Sequence, residues 1–553
     1  MGCNTTAQTS QALQPKPKPT PATGLSSDNL SQLLVGEFSL QRGDSKAAAL
    51  HLLKVARSTQ DLHTAKRATY LAQFAQNSDL LKKTSLLWSQ LAPQDPLPWQ
   101  YIAQSASLMG QFNQATEALA EELKRGGGAG VPYVANLTMG DTKATQVKLQ
   151  QNLQSWLQTY PNHKHLSYAL ALMAKNSQQI DGAIEHIKHS LAQDAHYLQA
   201  QILYAELLIA NQKTLAADTY LSQFTQPLSQ APRHLITLHA QVLTLMAKYP
   251  RAYAYFYELT RRYPADLGYN YSAGLLAYEN HQYTKAYQHL QQVIELNPDS
   301  HSAYYYMGLS ALREDLLPQA LGYLKQVTKG ADRLNAITLL LDLDAPSKGQ
   351  RKAYFDQLRL KHKDLSADLF YLQTEYLQNI GDTDAAIFTF QSALKQFPEH
   401  IALLYNYALL AQALHQFSTT ELMLQRIIDL EPNHTDALNA LGYAYADQGV
   451  NLVQAELLIN KALTREPNNA AIIDSLGWVS YRLGHLHKSL NLLTRAYAIM
   501  PAAEIAAHLG AVKWALGDTE GAFKTWNLAL SLEPDNALIK QAILDSQNEF
   551  ESD

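Results

Sequence analysis

Side chains able to do chemistry are plentiful in this chain, but their spacing argues against a catalytic or metal centre. Nineteen histidines are present, with close pairs at His163/His165, His186/His189 and His485/His487. A zinc protease sets two histidines four apart on one helix face with a glutamate beside the first, and a structural zinc site draws on cysteine. No acidic residue stands in that relation to the pairs, and the one cysteine, Cys3, lies far away in sequence and has no partner for a disulfide. The glycines from Gly126 to Gly130 have the composition of a phosphate-cradling loop. Such a loop follows a strand and ends in Gly-Lys-Ser or Gly-Lys-Thr. Here a helical pattern precedes it and Ala129-Gly130-Val131-Pro132 follows, so a linker between helices is expected. With no nucleophile elbow and no isolated carboxylate pair, the expectation is a chain that is not an enzyme and uses no metal and no cofactor.

Aromatic side chains offer a different chemistry. Fourteen of the 31 tyrosines lie between Tyr249 and Tyr323. Tyrosine and tryptophan combine a large contact area with a polar handle, which suits a groove for a protein segment. Nucleic acid is disfavoured, because the formal net charge is -5 and no basic excess exists to neutralise phosphates. No run of 18 apolar residues occurs, so no membrane-spanning helix is expected.

A regular beat of elements must position these aromatics. Prolines 264, 298, 398, 432, 467, 501 and 534 fall 33 to 35 residues apart, apart from one gap of 100 that divides into three steps of about the same size through Gly330 and Asp364. Run backwards, the beat reaches Ala195, Pro161, Gly127 and Pro93. Within each period apolar residues recur three and four apart, as on amphipathic helices. Glycines 274, 308, 442, 477 and 510 share one site in the first helix of a pair, and alanines 286, 320, 455 and 522 share one in the second. A glycine inside a helix costs about 1 kcal/mol relative to alanine, so its recurrence calls for close helix approach. About fifteen pairs are expected, irregular between Gly126 and Gly140 and again from Ala345 to Gly349.

This pattern of Leu-Gly, aromatic, Ala and Pro in register resembles the tetratricopeptide repeat. The resemblance implies an all-α fold, a right-handed α-α superhelical solenoid of helix hairpins. Residues 28–265 read as degenerate repeats, and residues 266–553 as regular repeats with a capping helix from about Asn536 that ends in Gln547, Asn548 and Glu549. In such a superhelix the first helix of each pair lines the concave face. On that geometry Tyr271, Tyr278, Tyr305, Tyr405, Tyr443, Trp478, Tyr481 and Trp514 form a protein-binding groove, with Asn439 and Asp474 placed to hold an extended backbone.

Residues 1–27 read differently. Met1-Gly2-Cys3-Asn4 leads into a polar stretch with Pro15, Pro17 and Pro19 and almost nothing to bury, so a disordered tether is expected. Gly-Cys before such a tether resembles a bacterial lipoprotein after signal cleavage, which implies lipidation at Cys3. Each buried methylene of an acyl chain would add about 0.8 kcal/mol of membrane affinity. A coil of this length holds the folded body roughly 25–30 Å from its anchor. Two other readings stand beside it: N-myristoylation from Gly2 with Thr6, and a cysteine with no such role. Asn4 is not the aspartate that favours inner-membrane retention in those lipoproteins, so the outer membrane is the expected location.

The last third of the chain carries a narrower resemblance. Its residues include Asn439-Ala440-Leu441-Gly442-Tyr443, Ile473-Asp474-Ser475-Leu476-Gly477-Trp478 with Tyr481-Arg482-Leu483-Gly484, Ala506-Ala507-His508-Leu509-Gly510, and Trp514-Ala515-Leu516-Gly517. Together with Leu33-Leu34-Val35-Gly36-Glu37 and the N-terminal cysteine, these resemble the LbcA type of gammaproteobacterial lipoprotein. That resemblance implies a periplasm-facing, lipid-anchored scaffold that binds and activates a carboxyl-terminal processing serine protease and brings it protein substrates such as cell-wall hydrolases. The alternative is a scaffold for another envelope assembly, such as a pilus, outer-membrane or polysaccharide-export system.

Overall fold

The computed structural model describes residues 26–537 and 539–544. The Cys3 lipidation site, the tether up to residue 25 and the capping residues Gln547 to Glu549 lie outside the described residues. Within them the chain forms 30 α-helices, one 3-10 turn and no strand. Neighbouring helices pack as successive pairs, which is the all-α helix-hairpin solenoid that the period implies.

Local signals start and stop these helices. Asp44, Asp61, Asn77, Asp266 and Asp518 sit at N-caps, and each accepts a backbone N–H of the first turn. The prolines of the beat stand two residues beyond the second helix of a pair, as Pro432 does after Leu430 and Pro467 after Arg465. Their carbonyls also take part in packing. Arg125, at the C-cap of a second helix, and His189, Lys461 and Arg495, each within one, hydrogen-bond to the carbonyls of Pro93, Pro161, Pro432 and Pro467. Each bond ties the end of one pair to the next.

A second rhythm lies in the turn inside each pair. A residue with positive φ stands there at positions 43, 76, 110, 178, 212, 247, 281, 315, 381, 415, 449, 484 and 517, joined by Asn451 in the turn of Gly449. The two pairs without it are Gly130–Thr138 with Lys143–Thr159, and Arg333–Leu343 with Arg351–Lys361. Both fall where the sequence leads one to expect irregularity.

The helix glycines have the packing reason their recurrence demands. A Cβ on Gly442 would stand 2.5 Å from Ile459, one on Gly477 2.6 Å from Leu493, and one on Gly274 2.8 Å from Leu290. In each case the obstacle is on the second helix of the same pair. The matching alanines Ala286, Ala320, Ala455 and Ala522 are fully buried.

By Cα proximity the chain forms two compact units, one running to Ala320 and the other starting at Leu321. The core of each runs lengthwise as linked clusters. In the C-terminal unit one such cluster extends from Phe370 through Tyr407, Leu441 and Ile459 to Val479. Growth by neighbour-to-neighbour burial is the physical basis of a repeat array.

Candidate functional site

Tyr405, Asn439 and Asp474 lie in the same register on first helices of the C-terminal unit, and His508 lies one residue beyond that register on the next first helix. Helices Thr435–Gln448, Ala470–Arg482 and Ala503–Ala515 pack side by side, which brings the last three of these positions onto one surface.

The centre of that surface is built on His508. Its Nδ1 lies 3.0 Å from both carboxylate oxygens of Asp474, and both residues are buried. The imidazole stacks on Trp478, with centroids 4.3 Å apart and planes inclined by 20°. Trp478 stacks in turn on Tyr481 at 5.0 Å and 20°. The Arg482 guanidinium stands 5.9 Å from the indole ring. Tyr443 completes the group. Its hydroxyl donates to Glu504 at 2.9 Å, and its ring lies 6.1 Å from His508. Burial, reinforced by Glu504, pushes the Tyr443 phenol far above its usual range, so it remains a donor at any physiological pH.

Two polar atoms here meet no partner inside the protein. Asn439 Oδ1 and Trp478 Nε1 are both buried and unbonded. One is an acceptor and the other a donor, the pair of groups that a peptide unit offers in reverse.

Of the residues expected in a groove, Tyr443, Asp474, Trp478 and Tyr481 thus come together, with Asn439 on the same helix as Tyr443. Tyr405 lies further along, half-buried and stacked on His434 at 6.1 Å. Trp514 packs against Phe523 and Trp526 on the second helix of its own pair. It stands four residues after Gly510, whereas Tyr443 and Trp478 stand one residue after Gly442 and Gly477, so it lies three residues beyond their register, about 300° around the helix. His508, Glu504 and Arg482 were not anticipated. The 34-residue spacing from Asp474 points to His508, although the shared glycine site places Ala507 opposite Asp474.

Tyr271, Tyr278 and Tyr305 belong to the N-terminal unit. Tyr278 packs on Tyr283 and Tyr306, at 5.6 and 5.7 Å, and Tyr305 on Tyr306 at 5.5 Å. Beside them opens an apolar cleft of about 720 Å³, lined by Leu245, Tyr249, Phe256, Tyr269, Leu276 and Tyr306 among others. The tyrosine-rich stretch therefore makes a cleft, but Tyr249, Tyr269 and Tyr306 line it.

Histidines elsewhere serve the fold. His163 bonds the Gly127 carbonyl at 2.9 Å, and His165 bonds the Tyr197 hydroxyl at 3.2 Å. The glycine loop cradles a carboxylate of its own chain, since Gly128 and Gly130 donate their N–H groups to Glu122 at 2.8 and 3.1 Å. Thr225, His239 and Asp218 form a chain in nucleophile, base and carboxylate order, with both links 2.8 Å. Thr225 and His239 have no exposed surface, and Asp218 also binds Lys248 at 2.8 Å, so no substrate atom can enter. Among the described residues no three His, Cys, Asp or Glu side chains gather as for a metal. No described helix is long and apolar enough to cross a membrane.

Known proteins are similar to this chain in sequence. Residues 271–333 and 367–400 match the tetratricopeptide repeat family. Over 503 residues the chain is 28% identical to the TPR repeat-containing protein PA4667 of Pseudomonas aeruginosa, covering 90% of this chain and 85% of that one. A stretch of 142 residues is 26% identical to the mitochondrial import receptor subunit TOM70 of Rattus norvegicus, covering 25% of this chain and 23% of the receptor. Among solved structures it is similar to the APC/C hetero-tetramer Cut9-Hcn1, with a TM-score of 0.32 at 14% identity over 94% of this chain and 96% of that one. A tetratricopeptide repeat protein from Parabacteroides merdae gives 0.31 at 15% identity, over 51% and 98%. Paired helices on a beat of about 34 residues run along the chain, and within it residues 271–333 and 367–400 are those that match the tetratricopeptide repeat.

Proposed function

We propose that the chain is a protein-binding scaffold whose first-helix surface around Trp478 and His508 holds a segment of a partner. The observation that carries this reading is the assembly of buried Asp474 and His508 stacked with half-buried Trp478 and Tyr481, with an unmet acceptor at Asn439 Oδ1 and an unmet donor at Trp478 Nε1. Each unmet buried group costs about 1–3 kcal/mol. A bound backbone that meets both recovers that cost, while the rigid aromatics supply contact area with little entropy to lose.

The partner in this proposal is a carboxyl-terminal processing serine protease, with its protein substrates assembled on the same scaffold. The site is the periplasmic face of an outer membrane, and an acylated Cys3 is the anchor. The similarity to PA4667 over 90% of the chain and the resemblance of residues 439–517 to the LbcA type support this reading. Joining protease and substrate on one scaffold raises their effective concentration into the millimolar range, roughly, for short tethers.

The test is capture from envelope extracts with the tagged full chain and with Trp478→Ala/His508→Ala. A processing protease recovered by the first and lost by the second is the expected result. Its proteolysis of a captured substrate should accelerate when the purified chain is added. Recovery of pilus or glycan-export components without a protease overturns the protease reading and favours the other envelope assembly.

A further inference from the structure

One of the two pairs that lack the usual turn carries a second surface. Helices Arg333–Leu343 and Arg351–Lys361 are joined by residues 344–350, against three residues in most pairs. This longer linker sets Lys348 at the edge of a cleft of about 410 Å³ whose walls include helices Arg351–Lys361 and Thr383–Gln396. The cleft is lined by four cations, Lys348, Arg351, Lys352 and Arg359, and by two carboxylates, Asp356 and Asp382. Asp356 already serves two of the cations, Lys352 at 2.7 Å and Arg359 at 2.5 Å. Asp382 reaches Arg351 only at 3.6 Å, and Arg351 Nε is buried without a partner. Lys348 is exposed and has no ion pair among the described residues. Two positive charges are therefore in excess, in a chain whose net charge is -5. At the same cleft Phe388 is 63% exposed, and Phe370 lies under Arg359 at 4.0 Å.

We infer that this cleft docks an acidic protein segment that carries one large apolar side chain. The carboxylates of that segment meet Lys348, Lys352 and Arg351, and its apolar side chain covers Phe388. Exposed charge complementarity of this kind steers and registers a partner more than it binds it, and the apolar contact supplies the anchor. A nucleic acid fits poorly, because a phosphate backbone needs a row of cations and this cleft holds only two uncompensated charges. The surface is distinct from the aromatic assembly. Its cations lie on the linker and on a second helix, whereas Trp478 and His508 lie on first helices.

The experiment is fluorescence anisotropy of the full chain with a labelled synthetic peptide of glutamate and serine around a single phenylalanine. Saturable binding is expected, weakening about tenfold or more between about 0.05 M and 0.5 M salt. Lys348→Glu/Lys352→Glu, which alters only exposed side chains, should weaken it about tenfold, and so should Phe388→Ser. A peptide with glutamine for glutamate should bind as weakly as the double variant. The inference is overturned if the glutamine peptide binds as well, if the double variant binds unchanged, or if an oligonucleotide binds more tightly than the peptide. It is also overturned if Trp478→Ala/His508→Ala abolishes binding, which would place the peptide on the aromatic surface. Tighter peptide binding after removal of residues 545–553 would make this chain's own acidic end the occupant in place of a partner.

Discussion

His508 Nδ1 stands 3.0 Å from the carboxylate of Asp474, between two first helices that are one repeat apart. The contact fixes which nitrogen carries the proton, because an ionised carboxylate can only accept. It also fixes the plane of the ring that Trp478 stacks upon. A polar bond between repeats thereby sets the orientation of an aromatic surface.

Breaking that bond should loosen the surface without unfolding the array. His508→Ala leaves Asp474 buried and unpartnered, at a cost of about 1–3 kcal/mol. Faster amide exchange in helices Ala470–Arg482 and Ala503–Ala515, with the N-terminal unit unchanged, is the expected readout. A double-mutant cycle between Trp478 and His508 should give a coupling of about 0.5–1.5 kcal/mol.

Glu122 makes the glycine loop pH-dependent. Burial pushes its carboxyl up to about 7, although the N–H groups of Gly130 and Gly128 act in the opposite sense. A raised folded value means that the protonated form is favoured on folding. Its contribution is complete below the ordinary value of 4.5 and is lost as pH rises through about 7. Protection of helices Phe112–Lys124 and Gly130–Thr138 should therefore fall between pH 5 and 8, by up to about 3 kcal/mol. Glu122→Gln keeps the acceptor and should flatten that dependence; a variant with the same slope would exclude this carboxyl as the cause.

Close approach at Gly442 leaves no room for a methyl group. Gly442→Ala gains about 1 kcal/mol of helix propensity but must displace Ile459. Overpacking of this kind costs about 1–3 kcal/mol, so net destabilisation and a lower denaturant midpoint are expected. Gly182, whose Cβ position has no atom within 4 Å, is the control, and alanine there should stabilise.

Ala247 occupies the left-handed turn position with φ 53°. A side chain in that conformation costs about 1–2 kcal/mol, and glycine avoids this at the price of greater freedom when unfolded. Ala247→Gly should therefore stabilise helices Arg233–Leu245 and Tyr249–Arg262 by a few tenths to about 1 kcal/mol, read by hydrogen exchange. Unchanged or faster exchange would show that the turn is not strained.

Legibility in the sequence differed sharply between the fold and the surface. The proline beat, the glycine positions and both irregular places were readable, because each follows from backbone rules that act within a few residues. The positive-φ turn was hidden, since glutamine, histidine, alanine and aspartate occupy it as well as glycine. The tyrosine-rich stretch drew attention to Tyr271, Tyr278 and Tyr305, yet Tyr249, Tyr269 and Tyr306 line the cleft there.

By itself, then, the sequence determined the repeat, the pairing of helices and the sites of closest approach, because a 34-residue period and a missing Cβ leave little choice of packing. Only the tertiary structure decided which aromatic meets which neighbour. A first helix divides its face among its own partner, the adjoining pairs and the open surface, and a shift of three residues carries a side chain from one to another. That shift puts Trp514 against Phe523 while Trp478 stacks on His508. The Asp474–His508 contact needed the same information, since two repeats must lie side by side before a carboxylate and an imidazole 34 residues apart can meet.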